Sequence, residues 1–353
     1  MKQIAVVCNY KLNPSRVGGM DRFFVAYDRA CKNNGFRIKW FFSDGKIIEF
    51  YQDLDVHIAG EENLPTFFLK YHQEHKFDII ITHFLELCTP IFKKLKGNGK
   101  PYIIAVDHNP RPIQGFPLKK RIKIKLKGRL YSRFIDRFIG VSEYTRHQIL
   151  NDYGQGLSSK TDVVYNGIAT DVYKKRTEEN FGKFIVASHL RPSKGIQDLI
   201  HAVSILPEEL KALLKVDVYG EGPMEKELKK MVADKNLDGQ LNFKGSSPDL
   251  PNLFQNYSYM LQPTYMECFS LSILESLASN VPVITTPVGG NPEIIVDAQN
   301  GFIYEAGNVE QLSTIIRNIL QKIRAITTSV NPVVEESYYL EKMVSEHAAL
   351  LDF

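Results

Sequence analysis

Glu267 and Glu275 bracket the run Glu267-Cys268-Phe269-Ser270-Leu271-Ser272-Ile273-Leu274-Glu275, which follows the apolar stretch Tyr259 to Gln262. A helix starting near Ser270 leaves Glu267 in a loop and carries Glu275 inside the helix, so the two meet different parts of one extended ligand. The NH groups of that first helical turn are placed to take phosphate oxygens. A second constellation, Ser188-His189-Leu190-Arg191-Pro192-Ser193-Lys194-Gly195, stands at a strand-to-helix turn. His189, Arg191 and Lys194 there suit a diphosphate held by side-chain charge as well as by NH groups. Tyr219-Gly220-Glu221-Gly222-Pro223 gives a tight turn, with Pro223 at a first helical position, where a base or ribose can touch backbone. Gly18-Gly19 before Met20-Asp21 is a further helix entrance open to an anion. His108, in Val106-Asp107-His108-Asn109-Pro110, and His83 each follow a strand.

The elements that must position these residues alternate from β-rich runs to helical patterns along the whole chain, as in parallel α/β layers. Strands are predicted at 4–7, 38–42, 78–82, 102–106, 138–141 and 163–165, and a second series at 184–187, 216–219, 241–244, 259–262, 283–285 and 301–303. Ser142 is the N-cap of a helix through Leu150. The fold class is therefore α/β, with two doubly wound parallel sheets in tandem. The domains are 1–170, 171–335 and a C-terminal helical segment, 336–353, able to pack back on the first domain. The polar stretch 171–180 reads as the linker. At 353 residues the chain exceeds what one core usually fills. Ligands of such sheets bind beyond the carboxyl ends of the strands, where all these residues fall.

Residues 1–170 carry 27 Lys and Arg against 16 Asp and Glu, a net +11, whereas the remainder nets −7. Much of the excess lies in 118–129, where Lys119, Lys120, Arg121, Lys123, Lys125, Lys127 and Arg129 interleave with apolar residues. Such a face suits an anionic membrane surface, or is simply a solvated helix face. Nucleic acid is not expected, because no stacking aromatics accompany the charges. No run is apolar enough to span a membrane, and the N-terminus lacks a signal peptide, so a cytoplasmic protein is expected. Cys8, Cys31, Cys88 and Cys268 show no CxxC spacing and are expected to be reduced, buried thiols.

The ordered set Gly18-Gly19, Asn166-Gly167-Ile168, Leu190 to Gly195, Gly220-Glu221-Gly222-Pro223, Glu267 to Glu275, Pro282-Val283-Ile284, Gly289-Gly290 with Glu293, and Asn300-Gly301 resembles the retaining nucleotide-sugar glycosyltransferases of family four. The resemblance covers nearly the whole chain and is strongest from Asn166 to Gly301. It implies the GT-B fold, two Rossmann-like domains facing each other across a cleft, with the nucleotide sugar held by the second and the acceptor by the first. It also implies that Glu275 binds the ribose, that Glu267 and the backbone of Cys268, Phe269, Ser270 and Leu271 hold sugar and diphosphate, and that Lys194 pairs with the diphosphate. Gly18, Gly19, Gly220 and Gly222 complete the donor site, and His108 stands against the transferred sugar, making His108, Glu267 and Lys194 the catalytic set. Where the family has Gly-Arg-Leu this chain has Ser188-His189-Leu190, so the second diphosphate cation is either His189 or Arg191. Ser270 replaces a usual Gly, which is expected to crowd the sugar pocket slightly.

The implied reaction is a front-side substitution with retained anomeric configuration, in which the departing phosphate helps deprotonate the acceptor hydroxyl, with no cofactor and no metal. A role in cell-surface polysaccharide or glycolipid biosynthesis follows, with a glycan or lipid-linked acceptor and peripheral attachment at the inner membrane leaflet. A nucleotide-sugar epimerase of similar architecture and a catalytically silent scaffold are the alternatives. Asp53-Leu54-Asp55 matches the Asp-x-Asp of metal-dependent transferases but lies in the wrong half of the chain. An oxidoreductase is excluded, since neither first strand is followed by GxGxxG.

Overall fold

A computed structural model of the chain describes residues 1–14 and 17–352. The chain divides into two compact units: Met1–Asn166 together with the stretch from Leu340 on, and Gly167–Tyr339. In the first, the elements run β1 (Gln3–Leu12), α1 (Gly19–Asn33), β2 (Arg37–Gly45), β3 (Val56–Ile58), α2 (Leu64–His75), β4 (Ile79–His83), α3 (Pro90–Gly97), β5 (Tyr102–Asp107), α4 (Leu118–Tyr131), β6 (Arg137–Gly140), α5 (Glu143–Tyr153) and β7 (Thr161–Val163). The second runs β8 (Lys183–Ala187), α6 (Ile196–Ser204), α7 (Glu208–Lys211), β9 (Lys215–Tyr219), α8 (Glu225–Asp234), β10 (Leu241–Gly245), α9 (Leu250–Leu253), β11 (Tyr259–Gln262), α10 (Leu271–Ala278), β12 (Val283–Thr285), α11 (Asn291–Ile294), β13 (Gly301–Ile303), α12 (Val309–Leu320) and α13 (Pro332–Ser337). Helix α14 (Leu340–Ala349) returns to the first unit and packs on α1.

Both sheets are wholly parallel, ordered β3-β2-β1-β4-β5-β6-β7 and β10-β9-β8-β11-β12-β13. These are two doubly wound sheets, each reversing its strand order once, between β1 and β4 and between β8 and β11. Their central strands are apolar on both faces, as in Ile4 to Cys8 and Phe184 to Val186, because helices cover both sides. The helices supply one apolar stripe each. In α12, Leu312, Ile315, Ile316 and Ile319 recur at helical spacing and are buried, each contributing on the order of 1.5–3 kcal/mol. Ser142 caps α5, its side chain accepting from the Thr145 NH at 3.1 Å. Among the described residues the four cysteines are buried and lie outside any disulfide. Among the described residues no helix is long and apolar enough to cross a membrane.

Four expectations need revision. Strand β3 is additional: a three-residue edge strand is too short to stand out beside Asp53-Leu54-Asp55. Asp55 is instead engaged by Lys39 at 2.5 Å and His57 at 3.0 Å. The stretch 171–180 is not a free linker but is bonded into the second unit, of which it is part. Backbone bonds run from Lys174 N to Pro251 O (3.1 Å) and from Arg176 N to Ser279 O (2.8 Å), and the Arg176 guanidinium donates to Ser258 O at 2.9 Å. Its polarity serves carbonyls of α9, of the end of α10 and of the residue before β11, which a reading of apolar periodicity does not register. The units meet after Asn166 rather than after Thr170, and the chain returns at Leu340. Pro223 precedes α8 by two residues instead of opening it.

Gly195 is left-handed (φ +67°), and a Cβ there would lie 1.7 Å from the Pro263 carbonyl oxygen. Gly195→Ala is expected to cost about 2–4 kcal/mol in denaturant unfolding. Gly239→Ala, which meets nothing within 4 Å, should stay within about 0.5 kcal/mol.

Candidate active site

The loops after β8 and β11 leave adjacent strands at the point where the second sheet reverses its order. After β8, Pro192–Lys194 make one turn of 3-10 helix ended by the left-handed Gly195. That turn presents Lys194, whose Nζ forms an ion pair with Glu267 Oε1 of the loop after β11. The two side chains are only 12% and 14% exposed. The loops are also stitched by backbone: Tyr265 N donates to Ser193 O at 2.8 Å, the Thr264 hydroxyl to the same oxygen at 3.2 Å, and the Tyr265 hydroxyl to Asp198.

Glycine lets two further loops join them. A Cβ on Gly220 or Gly222 would sit 1.9 or 2.3 Å from the carbonyl oxygens of Ser188 or Leu190, and one on Gly289 2.2 Å from that of Glu267. Leu190 N donates to Glu221 O (2.9 Å) and Gly290 N to Cys268 O (2.9 Å). His189, Arg191, Lys194, Gly220, Gly222 and Glu267 are thus gathered at the carboxyl ends of three strands.

Helix α10 starts at the same place. Ser270 caps it, its Oγ accepting from Ile273 N at 3.4 Å and from Gln262 Nε2 at 2.5 Å. The NH groups of Leu271 and Ser272 have no acceptor within the helix. Ser270 is nearly wholly buried, its hydroxyl committed to Gln262 and the helix, so the expected crowding of the pocket does not follow. Cys268 and Phe269 are buried side chains, so a ligand there meets their backbone; Glu275 is buried within α10. Behind the cap, Asn291 Nδ2 donates to Gln262 Oε1 (3.2 Å) and to the Thr285 hydroxyl (3.0 Å). Sequence reasoning missed this Gln262, Thr285 and Asn291 network. Polar residues ending otherwise apolar strands were its signal.

His189 is exposed. Desolvation first, then the charges of Arg191 and Lys194, hold its imidazole below the ordinary value. At neutral pH the fixed cations of this loop are therefore Arg191 and Lys194.

In the first unit, Gly18 and Gly19 open α1, but the Gly18 NH donates to the Asp21 carboxylate at 2.7 Å. Asp21 also accepts from the Tyr51 hydroxyl (2.5 Å) and the Tyr10 hydroxyl (3.1 Å). The helix entrance thus carries an anion of its own, which corrects the reading of Gly18 as a free donor to a ligand. Lys119, Lys120, Arg121, Lys123, Lys125 and Lys127 lie on α4. At the end of β4 and just after β5, His83 Nδ1 and His108 Nε2 are 3.0 Å apart, and the Phe84 ring stacks on His108 at 4.0 Å. Phe84 has φ +59°, a strained backbone for an aromatic residue. The loop is braced by Arg111, which donates to Asp107 (2.8 Å) and Asp152 (2.9 Å), both largely buried. His347 of α14 packs on Phe23 and faces His83, at ring centroid distances of 4.8 and 5.9 Å. Nothing in the local sequence signals this third histidine, since it arrives from the far end of the chain.

Burial holds all three imidazoles neutral. It pulls His108 down to about 3, with a further push from His347, and His347 down to about 4. The same burial, with both neighbouring histidines, holds His83 well below its ordinary value. A buried neutral histidine disfavours the native state wherever the unfolded chain would be protonated. Stability is therefore full above about pH 6.5 and falls as pH drops from there toward 4. His347→Phe should flatten this acid limb, by up to about 1.4 kcal/mol per pH unit, in melting curves recorded between those limits.

Two family models match the chain: one described as glycosyl transferases group 1 over residues 169–324, and one as glycosyltransferase family 4 over residues 17–172. Among curated proteins, an uncharacterised glycosyltransferase of Methanocaldococcus jannaschii is 28% identical over 204 residues, 56% of this chain and 55% of that one. N-acetyl-alpha-D-glucosaminyl L-malate synthase of Bacillus anthracis is 26% identical over 219 residues, 58% and 57% of the two chains. The chain thus spans about half the length of these curated relatives. Among solved structures, Anabaena HepE in complex with UDP and glucose superposes with a TM-score of 0.80 at 18% identity, covering 100% of this chain and 99% of that one. Sucrose-phosphate synthase of Thermosynechococcus elongatus gives 0.81 at 15%, covering 100% and 98%.

Proposed function

The chain belongs to the family-four, group 1 glycosyltransferases and has their GT-B fold, and from that premise we propose that it moves a sugar from a nucleotide diphosphate to an acceptor hydroxyl with retention of configuration and without a metal. The observation that carries the proposal is the Lys194–Glu267 pair at the strand-order reversal of the second unit, beside the N-terminus of α10. Lys194 and Arg191 meet the diphosphate, and the first NH groups of α10 take its remaining oxygens as charge develops on the leaving phosphate. Glu267 holds hydroxyls of the sugar and Glu275 those of the ribose. His108, a neutral imidazole, supplies a hydrogen bond to the transferred sugar rather than a charge. The departing phosphate takes the proton of the acceptor hydroxyl, so no side chain need act as nucleophile.

UDP is the proposed nucleotide. HepE is solved with UDP and with UDP-glucose, and a Limosilactobacillus reuteri relative, 32% identical over 120 residues, is named a UDP-N-acetylglucosamine peptide transferase subunit. The acceptor is a glycan or lipid-linked glycan of cell-surface polymer synthesis. A poly(glycerol-phosphate) alpha-glucosyltransferase of Bacillus subtilis, 26% identical over 250 residues, supports that class. The acceptor is met by a cytoplasmic protein lying peripherally on the inner membrane leaflet.

The test is a thermal-shift series with UDP, GDP, ADP and dTDP. Saturation at about 100 times the dissociation constant stabilises by about 2.7 kcal/mol, a shift of several degrees for the binding unit. UDP should shift the wild type, while Glu275→Gln, which keeps the buried volume, should lose at least 10-fold in affinity. No shift with any of the four would sink the donor reading. In the same assay between pH 7 and 8, Arg191→Ala should weaken UDP binding about 10-fold. His189→Ala should leave it unchanged there, because a ring with a depressed pKa gains its charge only in acid. A loss for His189→Ala alone would reverse that assignment.

A further inference from the structure

We propose that α4 is a seating helix for an anionic lipid bilayer, in which a ridge of four aliphatic side chains enters the acyl boundary while the interleaved cations bind lipid phosphates. Leu118, Ile122, Leu126 and Leu130 are 69%, 51%, 56% and 53% exposed. Single exposed aliphatic residues are ordinary, but these four recur every fourth residue of one helix. At 100° per residue they form a ridge spanning about 120° of its circumference. On the opposite side Ile124 and Gly128 are buried. A Cβ at Gly128 would lie 2.5 Å from the carbonyl oxygen of Tyr153, so the absent side chain lets α4 lie directly on the end of α5. That contact fixes the roll of the helix and forces the ridge outward.

Four of the seven cations share the outward half. By the same rotation Arg129 and Lys119 fall among the aliphatic residues, with Lys123 and Lys125 on either flank, all of them exposed. Residues 118–131 contain no Asp or Glu. Among the described residues, Lys127 alone of the seven cations has a carboxylate partner, Glu86 at 2.5 Å. Ile113, just before the helix, is a further exposed aliphatic residue at 55%. A nucleic-acid surface uses cations but gains nothing from four leucine-sized side chains, and an acidic protein would need a facing groove. A bilayer takes both: the aliphatic ends enter, and the long Lys and Arg stems reach up to the headgroups. The proposal rests on the preceding reading only in that a lipid-borne acceptor gives the seat its purpose; the binding itself needs no donor.

The experiment is flotation of the full chain with phosphatidylglycerol/phosphatidylcholine vesicles and with phosphatidylcholine alone. Wild type should float with the anionic vesicles and at least about 10-fold less with the neutral ones, since each cation near the surface adds to the attraction. Ile122→Ser/Leu126→Ser leaves every charge in place, removes side chains already exposed, and should cut partition to anionic vesicles at least about 10-fold. Lys123→Gln/Lys125→Gln should cut it several-fold and leave the remainder less sensitive to salt. The proposal fails if wild type does not float, or if the serine variant floats as well as wild type, which would mean adsorption by charge alone. It fails equally if a soluble polyanion such as single-stranded DNA binds wild type and serine variant alike and displaces both from vesicles. UDP thermal shifts on the serine variant report the donor site separately: flotation lost with the shift retained confines the change to the seat, and a wild type that floats without a UDP shift overturns the donor reading alone.

Discussion

The ion pair between Lys194 and Glu267 is the contact around which the second unit's site is organised. Two largely buried charges are costly to remove from water, and each is tolerable only while the other stays in place. Their meeting depends on backbone approaches that no side chain would permit at Gly195, Gly220, Gly222 and Gly289. The glycines let four loops close to carbonyl contact, closure brings β8's lysine to β11's glutamate, and the pair then holds both loops. On the proposed reading a diphosphate competes with Glu267 for the Lys194 ammonium. Binding would then release a carboxylate beside the sugar, and Arg191, exposed and permanently charged, would carry the rest of the phosphate charge. A single event thereby links recognition of the two halves of the donor.

The first unit handles its polar groups differently. Its candidate site is built of imidazoles that burial keeps neutral, braced by the Asp107–Arg111–Asp152 pairs and by the strained Phe84. On the proposed reading, a neutral histidine offers a sugar hydroxyl a hydrogen bond without adding a charge of its own. The arrangement is also why α14 belongs with this unit. His347 closes the apolar pocket formed by Phe23, Tyr27 and His83, so the end of the chain maintains the dry surroundings of a residue more than two hundred positions earlier.

Much of this was legible in the sequence because parallel sheets buried on both faces write themselves as short apolar runs, and twelve of the thirteen strands among the described residues stand out that way. The exception, β3, has three residues at a sheet edge. The candidate donor residues were legible because they follow strands in order. Their mutual contacts were not, since Lys194 and Glu267 are 73 positions apart and each has an independent reason to carry a charge. Ser270 shows the limit most plainly. Compared by size alone it fills a pocket, whereas its burial and its bonds to Gln262 and Ile273 make it the cap of α10. Only the register of a four-residue strand against a helix start distinguishes those roles.

The basic stretch shows a different limit. Lys123-Ile124-Lys125-Leu126-Lys127 alternates with the period of a strand, and in a strand all its apolar side chains would share one face. In a helix the same alternation splits them, turning Ile124 inward and Leu126 outward. What decides is Gly128, where α4 lies against the backbone of Tyr153. Once that contact sets the roll, the spacing Leu118, Ile122, Leu126, Leu130 can only be an exterior ridge, and the +11 charge of the first 170 residues has its densest part on the same outward face. Composition shows how much charge there is, but a single missing side chain determines which way it points.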